Sequence, residues 1–359
     1  MKFTETDTIQ WLKEADENKL RELRIQADSV RKKHVGEEIH LRGLLEISNY
    51  CRRNCKYCGI NAGNKTLKRY RMSEDEILEG ARIAERLGYG TIVIQSGEDP
   101  KLTRPLVGRI VRRIKEETGR AVTLSLGERT LEDLEYWRTM GADRYLLRFE
   151  TSDTSLYEKI HPPFNKSLPD RFAILKILRT LGYEVGSGIM IGIPGQTYAS
   201  LAQDIRLFHH MDLDMVGVGP FIPHPGTELG STSNYGKNGG NAEEQVPATI
   251  EMTLKALALT RLVCPDTNLP ATTALATVSP KGTGRIDGLS SGANVIMPNI
   301  TPLKYRALYE IYPSKASRLE TPDETNRVIM ECIRSAGRKP GTGNGDSPKY
   351  LQRTKADKK

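Results

Sequence analysis

"IHLRGLLEISNYCRRNCKYCGI", residues 39–60, joins a β-branched, alternating run to a loop that holds three of the chain's five cysteines. Residues 39–47 read as a strand. Cys51, Cys55 and Cys58 follow it at once, in C-x₃-C-x₂-C spacing, so the thiols belong to the loop beyond a strand's C-terminal end. Parallel α/β folds place their chemistry at that end.

Further along, short β-branched runs alternate with helix-length amphipathic stretches, the pattern of repeated βα units around a parallel sheet. Eight strands are expected, at 39–47, 90–96, 121–127, 144–150, 184–192, 214–221, 268–274 and 293–298. Between the first two, "SEDEILEGARIAERLG" (73–88) opens on Ser73 with Glu76 at capping-box spacing and closes on Gly88, so it predicts a helix. Eight units predict a (β/α)₈ TIM-type barrel over residues 37–341, with an open doubly wound sheet as the alternative. Residues 1–36 read as an N-terminal helical extension. Residues 342–359, within the Gly-rich, basic "GTGNGDSPKYLQRTKADKK", read as a flexible tail.

A chain of 359 residues buries a core without staples, and five mostly clustered cysteines do not make a secreted disulfide framework. "MKFTETDTIQWLKEADENKL" has no apolar signal region, and no apolar run approaches spanning length, so a cytoplasmic protein with no membrane partner is expected. The formal charge of +8 is partly local, in the tail and around the cysteines at Arg52, Arg53, Lys56, Lys65, Lys68, Arg69 and Arg71. It therefore does not by itself point to nucleic acid.

Three explanations compete for the thiols. Structural zinc needs a fourth ligand, for which His34 and His40 lie outside the loop. A C-x-x-C redox pair leaves Cys51 unexplained. A cubane iron–sulfur cluster held by three cysteines keeps one iron open to an outside ligand. Cys264 and Cys332, far apart downstream, read as inert thiols.

C-x₃-C-x₂-C with Tyr57 before the last cysteine resembles the signature of radical S-adenosylmethionine (SAM) enzymes. The resemblance implies one [4Fe–4S] cluster on Cys51, Cys55 and Cys58, with SAM chelating the open iron and yielding a 5′-deoxyadenosyl radical on one-electron reduction. Further SAM contacts are sought at the other strand ends. "QSGEDP" (95–100) offers Gly97 for a tight turn and Glu98 and Asp99 for the ammonium. Ser125 can reach a carboxylate or cap a helix. Arg148 and Glu150 share a strand face, which fits either a ligand or a salt bridge. Glu150 suits ribose hydroxyls and Arg171 the SAM carboxylate. "SGIMIGIPGQT" (187–197) resembles the superfamily's adenine-binding strand, with Met190 along the base.

"IVIQSGEDP", "VTLSLGE", "GADRYLLRFET", "DMVGVGPFIPHPGTEL", "LPATTA", "GANVIMPN" and "GRKPG" extend the resemblance to the [FeFe]-hydrogenase maturase HydE family, from about residue 30 to 341. That family implies a sulfur-containing substrate, a cysteine-ligated Fe(CO)₂CN precursor, with the maturases HydG and HydF as transient partners and a ferredoxin or flavodoxin as electron donor. Substrate is expected inside the barrel, against Arg42, Thr123, Thr272, Thr273, Tyr305 and Tyr309. Arg42 suits an anionic ligand or a salt bridge to Glu46. Methylornithine synthase and biotin synthase share the scaffold and give the nearest rival function. A zinc-stabilised nucleic-acid-binding protein is the rival from another class.

Overall fold

The computed structural model describes residues 3–164, 170–231, 244–279, 282–314 and 320–356. Six parallel strands pair in chain order: β1 (Glu38–Ser48), β2 (Thr91–Ser96), β3 (Ala121–Ser125), β4 (Arg144–Leu146), β5 (Glu184–Ile191) and β6 (Met215–Pro220). A short strand, β7 (Val295–Ile296), lies on the other side of β1. Residues 268–271 close the gap between β6 and β7. There Asn268 bridges Met215, Pro270 bridges Val295, and the amides of Val216 and Ala271 donate to the carbonyls of Asn268 and Val295 at 3.0 and 2.9 Å. The sheet is a closed barrel with eight staves.

The expected seventh strand, 268–274, is shorter than its sequence suggests. Pro270 has no amide to give a ladder, and Thr272 caps the helix Thr273–Val278 by accepting from the Leu275 amide at 3.3 Å. Thr273 is therefore the first residue of a helix, not part of a strand. The helix after β1 runs Glu74–Arg86 with the reciprocal Ser73–Glu76 cap, and Gly88 takes φ +76° beyond it.

Alternation along β1 decides what faces the interior. Leu41, Leu45 and Ile47 pack outward against the helices, as does Gly43, where a Cβ would lie 2.7 Å from Ile300 and 3.1 Å from Ala84. Arg42, Leu44, Glu46 and Ser48 therefore point into the barrel. The register carries that layer across the sheet: Arg42 is level with Thr91, and Thr123 with Arg144, which is level with Glu184. The helices Glu5–Lys13 and Glu17–Val35 form the expected extension and pack along the barrel's outer helices Tyr198–His210 and Ile250–Val263. Among the described residues no helix is long and apolar enough to cross a membrane.

The segment after 341, expected to be a flexible tail, is anchored over its described length. A further strand, β8 (Lys339–Pro340), pairs with Glu38 and Ile39 of β1, and the chain then enters the barrel at the N-terminal ends of the strands. Carbonyls of Asn344 and Gly345 accept from Arg144 and Arg42, both at 3.0 Å, and Asp346 pairs with Arg144. The Ser347 amide donates to Glu184 at 3.1 Å and its hydroxyl to Asp214 at 3.0 Å. Helix Pro348–Ala356 follows, with Lys349 and Arg353 clamped to Asp212 and Arg353 also to Asp214. Composition suggested flexibility, but two of the glycines serve close approach: a Cβ on Gly341 would lie 2.8 Å from His40 Nδ1, and one on Gly345 2.7 Å from His40 Cγ.

Candidate active site

The cysteine loop leaves β1 and is drawn back onto its end. The Asn49 amide donates to Tyr70 O and the Met72 amide to Ile47 O, while Ser48 bridges Arg71 antiparallel. Arg69 binds the loop together from one side by donating to the carbonyls of Asn49, Ile60, Asn61 and Asn64. "PHPGTEL" supplies the other side: Lys56 pairs with Glu228, and the Leu229 amide donates to Lys56 O at 3.0 Å. At Gly59 a Cβ would sit 2.2 Å from Glu310 O and 2.5 Å from the His224 ring, so only glycine passes there. Gly97, at the end of β2, is held by the same logic, with a Cβ only 2.4 Å from Tyr50 O and 2.6 Å from Cys51 Cβ. Its part in the site is close approach to the cysteine loop.

Burial raises all three thiols, Cys55 to about 12, so in the metal-free protein they are neutral and metal loading displaces their protons. Among the described residues no three His, Cys, Asp or Glu side chains close on a single metal ion, the three cysteines included. Zinc, with Zn–S bonds of about 2.3 Å, would gather its thiolates tightly. A cubane spreads three ligands over three corners, and the donor set here, three thiols with no fourth, fits that group.

Around the loop the expected residues divide. Asp99 is fully buried and already bound, accepting two bonds from Arg71 at 2.6 and 2.9 Å and one from Ser48 at 2.6 Å, so it braces the loop and is not free for an ammonium. Glu98 is less committed: Arg52 lies 3.4 Å away and the Glu128 amide donates to it at 3.1 Å. Arg171 stands beside the cysteines, and its neighbour is a residue the sequence reading missed. Glu128 accepts from Arg171 at 3.0 Å and from Arg53 at 3.1 Å, making an Arg–Glu–Arg chain along the loop. Its place at a Gly127 turn after β3, φ +77°, was the available signal.

Arg148 and Glu150 do pair, with Nε 3.1 Å from both carboxylate oxygens. Glu150 has φ +65°, rare for a side chain of this size and concentrated at functional positions. The turn is fixed from behind by Asp204, whose Oδ1 accepts from the Ser152 amide and hydroxyl at 2.6 and 2.5 Å. Asp204 is wholly buried, which lifts its carboxyl to about 7. The folded state therefore keeps a proton the unfolded chain loses above about 4, and this contribution to stability disappears as pH rises through about 7. Chemical denaturation of the metal-free protein is expected to show wild type losing stability relative to Asp204→Asn between mildly acid and mildly alkaline pH. Parallel curves would refute it.

Met190 and Tyr57 share a small apolar group with Leu156, Ile160, Ile193 and Phe221. Ser125 tops β3, level with Gln95, which donates to the Tyr309 hydroxyl at 3.4 Å. Tyr309 is buried near Cys51 and Cys58. Tyr305 does not join this group. Its hydroxyl donates to Glu76 at 3.0 Å and its ring stacks on Tyr70, because the capping carboxylate of the helix Glu74–Arg86 offers a partner nearer than the interior. Deeper in the barrel, Thr123 is 2% exposed and its hydroxyl has no partner. Among the described residues Arg42, 4% exposed, meets the Met215 sulfur and the Gly345 carbonyl and hydrogen-bonds no carboxylate, although Glu184 and Asp346 are near enough to act on its charge, and its Nε is unpartnered. Its expected bridge to Glu46 is replaced by these contacts, since the C-terminal segment reaches it from below.

The Radical SAM superfamily model matches residues 45–208, the span from β1 through the helix after β5. The chain is 48% identical to the [FeFe] hydrogenase maturase subunit HydE of Thermotoga maritima over 91% of its own length and 88% of that protein's. The chain belongs to the HydE family of radical SAM enzymes. Similarity to 3-methylornithine synthase of Methanosarcina acetivorans is weaker, 28% over 90% of this chain and 86% of that one. The crystal structure of methylornithine synthase PylB superposes with a TM-score of 0.78 at 26% identity over 95% of each chain. A crystal structure of the maturase HydG shares the fold at a TM-score of 0.76 and 18% identity, over 99% of this chain and 77% of that one. HydE-family membership gives the cysteine loop and the Arg–Glu–Arg chain beside it their context: a [4Fe–4S] cluster and SAM follow from the family.

Proposed function

We propose that this protein acts in [FeFe]-hydrogenase maturation, on a sulfur-containing, cysteine-ligated Fe(CO)₂CN precursor of the diiron subsite. The 48% identity to the Thermotoga maritima maturase along nearly the whole chain carries the reading. In it, Cys51, Cys55 and Cys58 hold a single cluster. Arg171, already oriented by Glu128, takes the SAM carboxylate, Glu98 the ammonium, and Glu150 the ribose hydroxyls, with Ser125 beside them at the top of β3. Met190 and Tyr57 line the adenine. When bound, cluster and SAM supply a one-electron reductive cleavage of the sulfonium carbon–sulfur bond. Arg148 neutralises Glu150 until a ligand competes for it, and Tyr309 with Gln95 closes the side of the cavity near the cysteines. The substrate lies below, where Thr123 and Thr272 offer hydroxyls and Arg42 offers charge. A buried guanidinium with no hydrogen-bonded carboxylate among the described residues and an orphaned hydroxyl together favour an anionic, acceptor-rich ligand. HydG would deliver this substrate, HydF receive the product, and an acidic ferredoxin or flavodoxin reduce the cluster, all in the cytoplasm.

The test is a maturation assay with this protein as the only HydE source. Active hydrogenase supports the reading; an inactive hydrogenase together with methylornithine formed from lysine and SAM would move the protein to the rival function. Iron quantification after anaerobic reconstitution is expected to give about four irons per chain, and about eight would contradict a single cluster. Cys264→Ser and Cys332→Ser are expected to keep the brown colour, and bleaching in either would overturn the ligand assignment.

A further inference from the structure

His161 follows the short helix Thr154–Ile160 and is 3% exposed. Its Nε2 lies 2.9 Å from the Tyr57 hydroxyl, and the Tyr57 ring meets it edge-on at 5.2 Å. It also stacks on Tyr157, 4.6 Å between centroids and 18° from parallel, and the Arg171 guanidinium lies 5.6 Å from the centroid of the Tyr157 ring. One residue earlier, the Ile160 carbonyl accepts from the Lys56 amide at 3.0 Å. Two adjacent residues of this turn therefore grip two adjacent residues of the cysteine loop.

The protonation pattern is constrained. A tyrosine hydroxyl carries its proton at neutral pH, and a half-buried O–H donates to the partner it has, here Nε2. Burial and the positive charges of Arg171 and Arg53 keep the imidazole neutral. A neutral ring that accepts at Nε2 carries its proton on Nδ1, and that buried atom has no partner. Arg53, in the same loop, likewise has an unpartnered buried Nε. Two orphaned donors beside the cluster loop call for a ligand that accepts hydrogen bonds.

We propose that His161 is a further positioning residue of the cofactor pocket, fixing Tyr57 through Nε2 and presenting a protonated Nδ1 to an acceptor on bound SAM. The proposal rests on the cofactor reading of the site but not on the identity of the substrate.

Two measurements test it without turnover. Histidine ¹⁵N spectra of the metal-free protein, with the His161 signal assigned by its loss in His161→Phe, should show the Nδ1–H tautomer at neutral pH; the Nε2–H tautomer would overturn the proposal. SAM affinity of the reconstituted protein, read from the change in the reduced cluster's EPR signal, should weaken about tenfold in His161→Phe at unchanged iron content. His161→Asn, whose amide reaches the Nδ1 position, should recover most of that loss, and His161→Gln, which restores only the partner of Tyr57, less. Affinity in His161→Phe within about twofold of wild type, or no recovery in His161→Asn, would overturn it. Wild-type protein with a full complement of iron and no SAM binding would instead sink the cofactor reading, and this inference with it.

Discussion

Gly97→Ala is expected to leave a folded protein that no longer retains iron. A methyl at this position meets Tyr50 O at 2.4 Å and Cys51 Cβ at 2.6 Å, distances that real Cβ atoms do not adopt. Neither neighbour is a flexible side-chain end, so β2 or the cysteine loop must move. The loop is the weaker side: β2 is paired along its length with β1 and β3, whereas Cys51 is held locally by little more than the Gly97–Ser48 and Arg52–Glu98 backbone bonds. In the proposed site, displacing Cys51 removes one of three cluster ligands. Iron per chain after reconstitution should fall about tenfold or more, and SAM cleavage with it, while the circular dichroism of the barrel is retained. Gly88→Ala is the control. Its φ of +76° makes alanine strained, but nothing lies within 4 Å of the new methyl, so it should cost about 1 kcal/mol of stability and no iron. Full iron retention by Gly97→Ala would show that the loop is not set by this contact.

Ending the chain after Gly341 is expected to be the most destabilising change at the opposite end of the barrel. Arg144 is completely buried and bonds Glu184, Thr91, the Asn344 carbonyl and Asp346; the last two partners leave with the truncation. Arg42 loses the Gly345 carbonyl, Glu184 loses the Ser347 amide, and Asp214 loses Ser347 and Arg353. Removing one partner of a buried charge costs about 3–5 kcal/mol where water cannot replace it, and a domain has only about 5–15 kcal/mol in total. The truncated chain should be insoluble or melt well over 10 °C below wild type. Asp346→Ala, which removes one partner and keeps the rest, should be soluble, lose a few kcal/mol by denaturant titration and still bind iron. A truncated protein as stable as wild type would mean these contacts are replaced by solvent at no cost.

Much of this was legible from local patterns. Strand number, the capping box at Ser73 and the placement of the thiols past β1 each depend on residues close in sequence, and the structure keeps them. Contacts between distant segments were not legible. "GEDP" reads as two acids open to a ligand, yet Asp99 belongs to Arg71, 28 residues earlier, because the loop folds back along β1. Glu128 looks like one of many surface acids until β3 and the Arg171 helix are brought beside the cysteines. Tyr305 is expected in the interior with Tyr309, and only the position of the helix Glu74–Arg86 gives its hydroxyl to Glu76. Glycine-rich sequence at 341–347 predicts mobility from composition, whereas the partners that order it are inward-facing charges on β1, β4 and β5.

β1 has three neighbours: β2, the next strand in the chain, and two far along it, β7 near residue 295 and residues 339–340. The stave that launches the cysteine loop is thus flanked on one side by segments synthesised long after it. A nascent polypeptide still held by the ribosome beyond residue 347 has an unsealed barrel, with Arg42 and Arg144 facing water, and pairings of such long sequence separation are slow to form. Metal insertion into a finished scaffold is accordingly an event that follows the docking of residues 339–347.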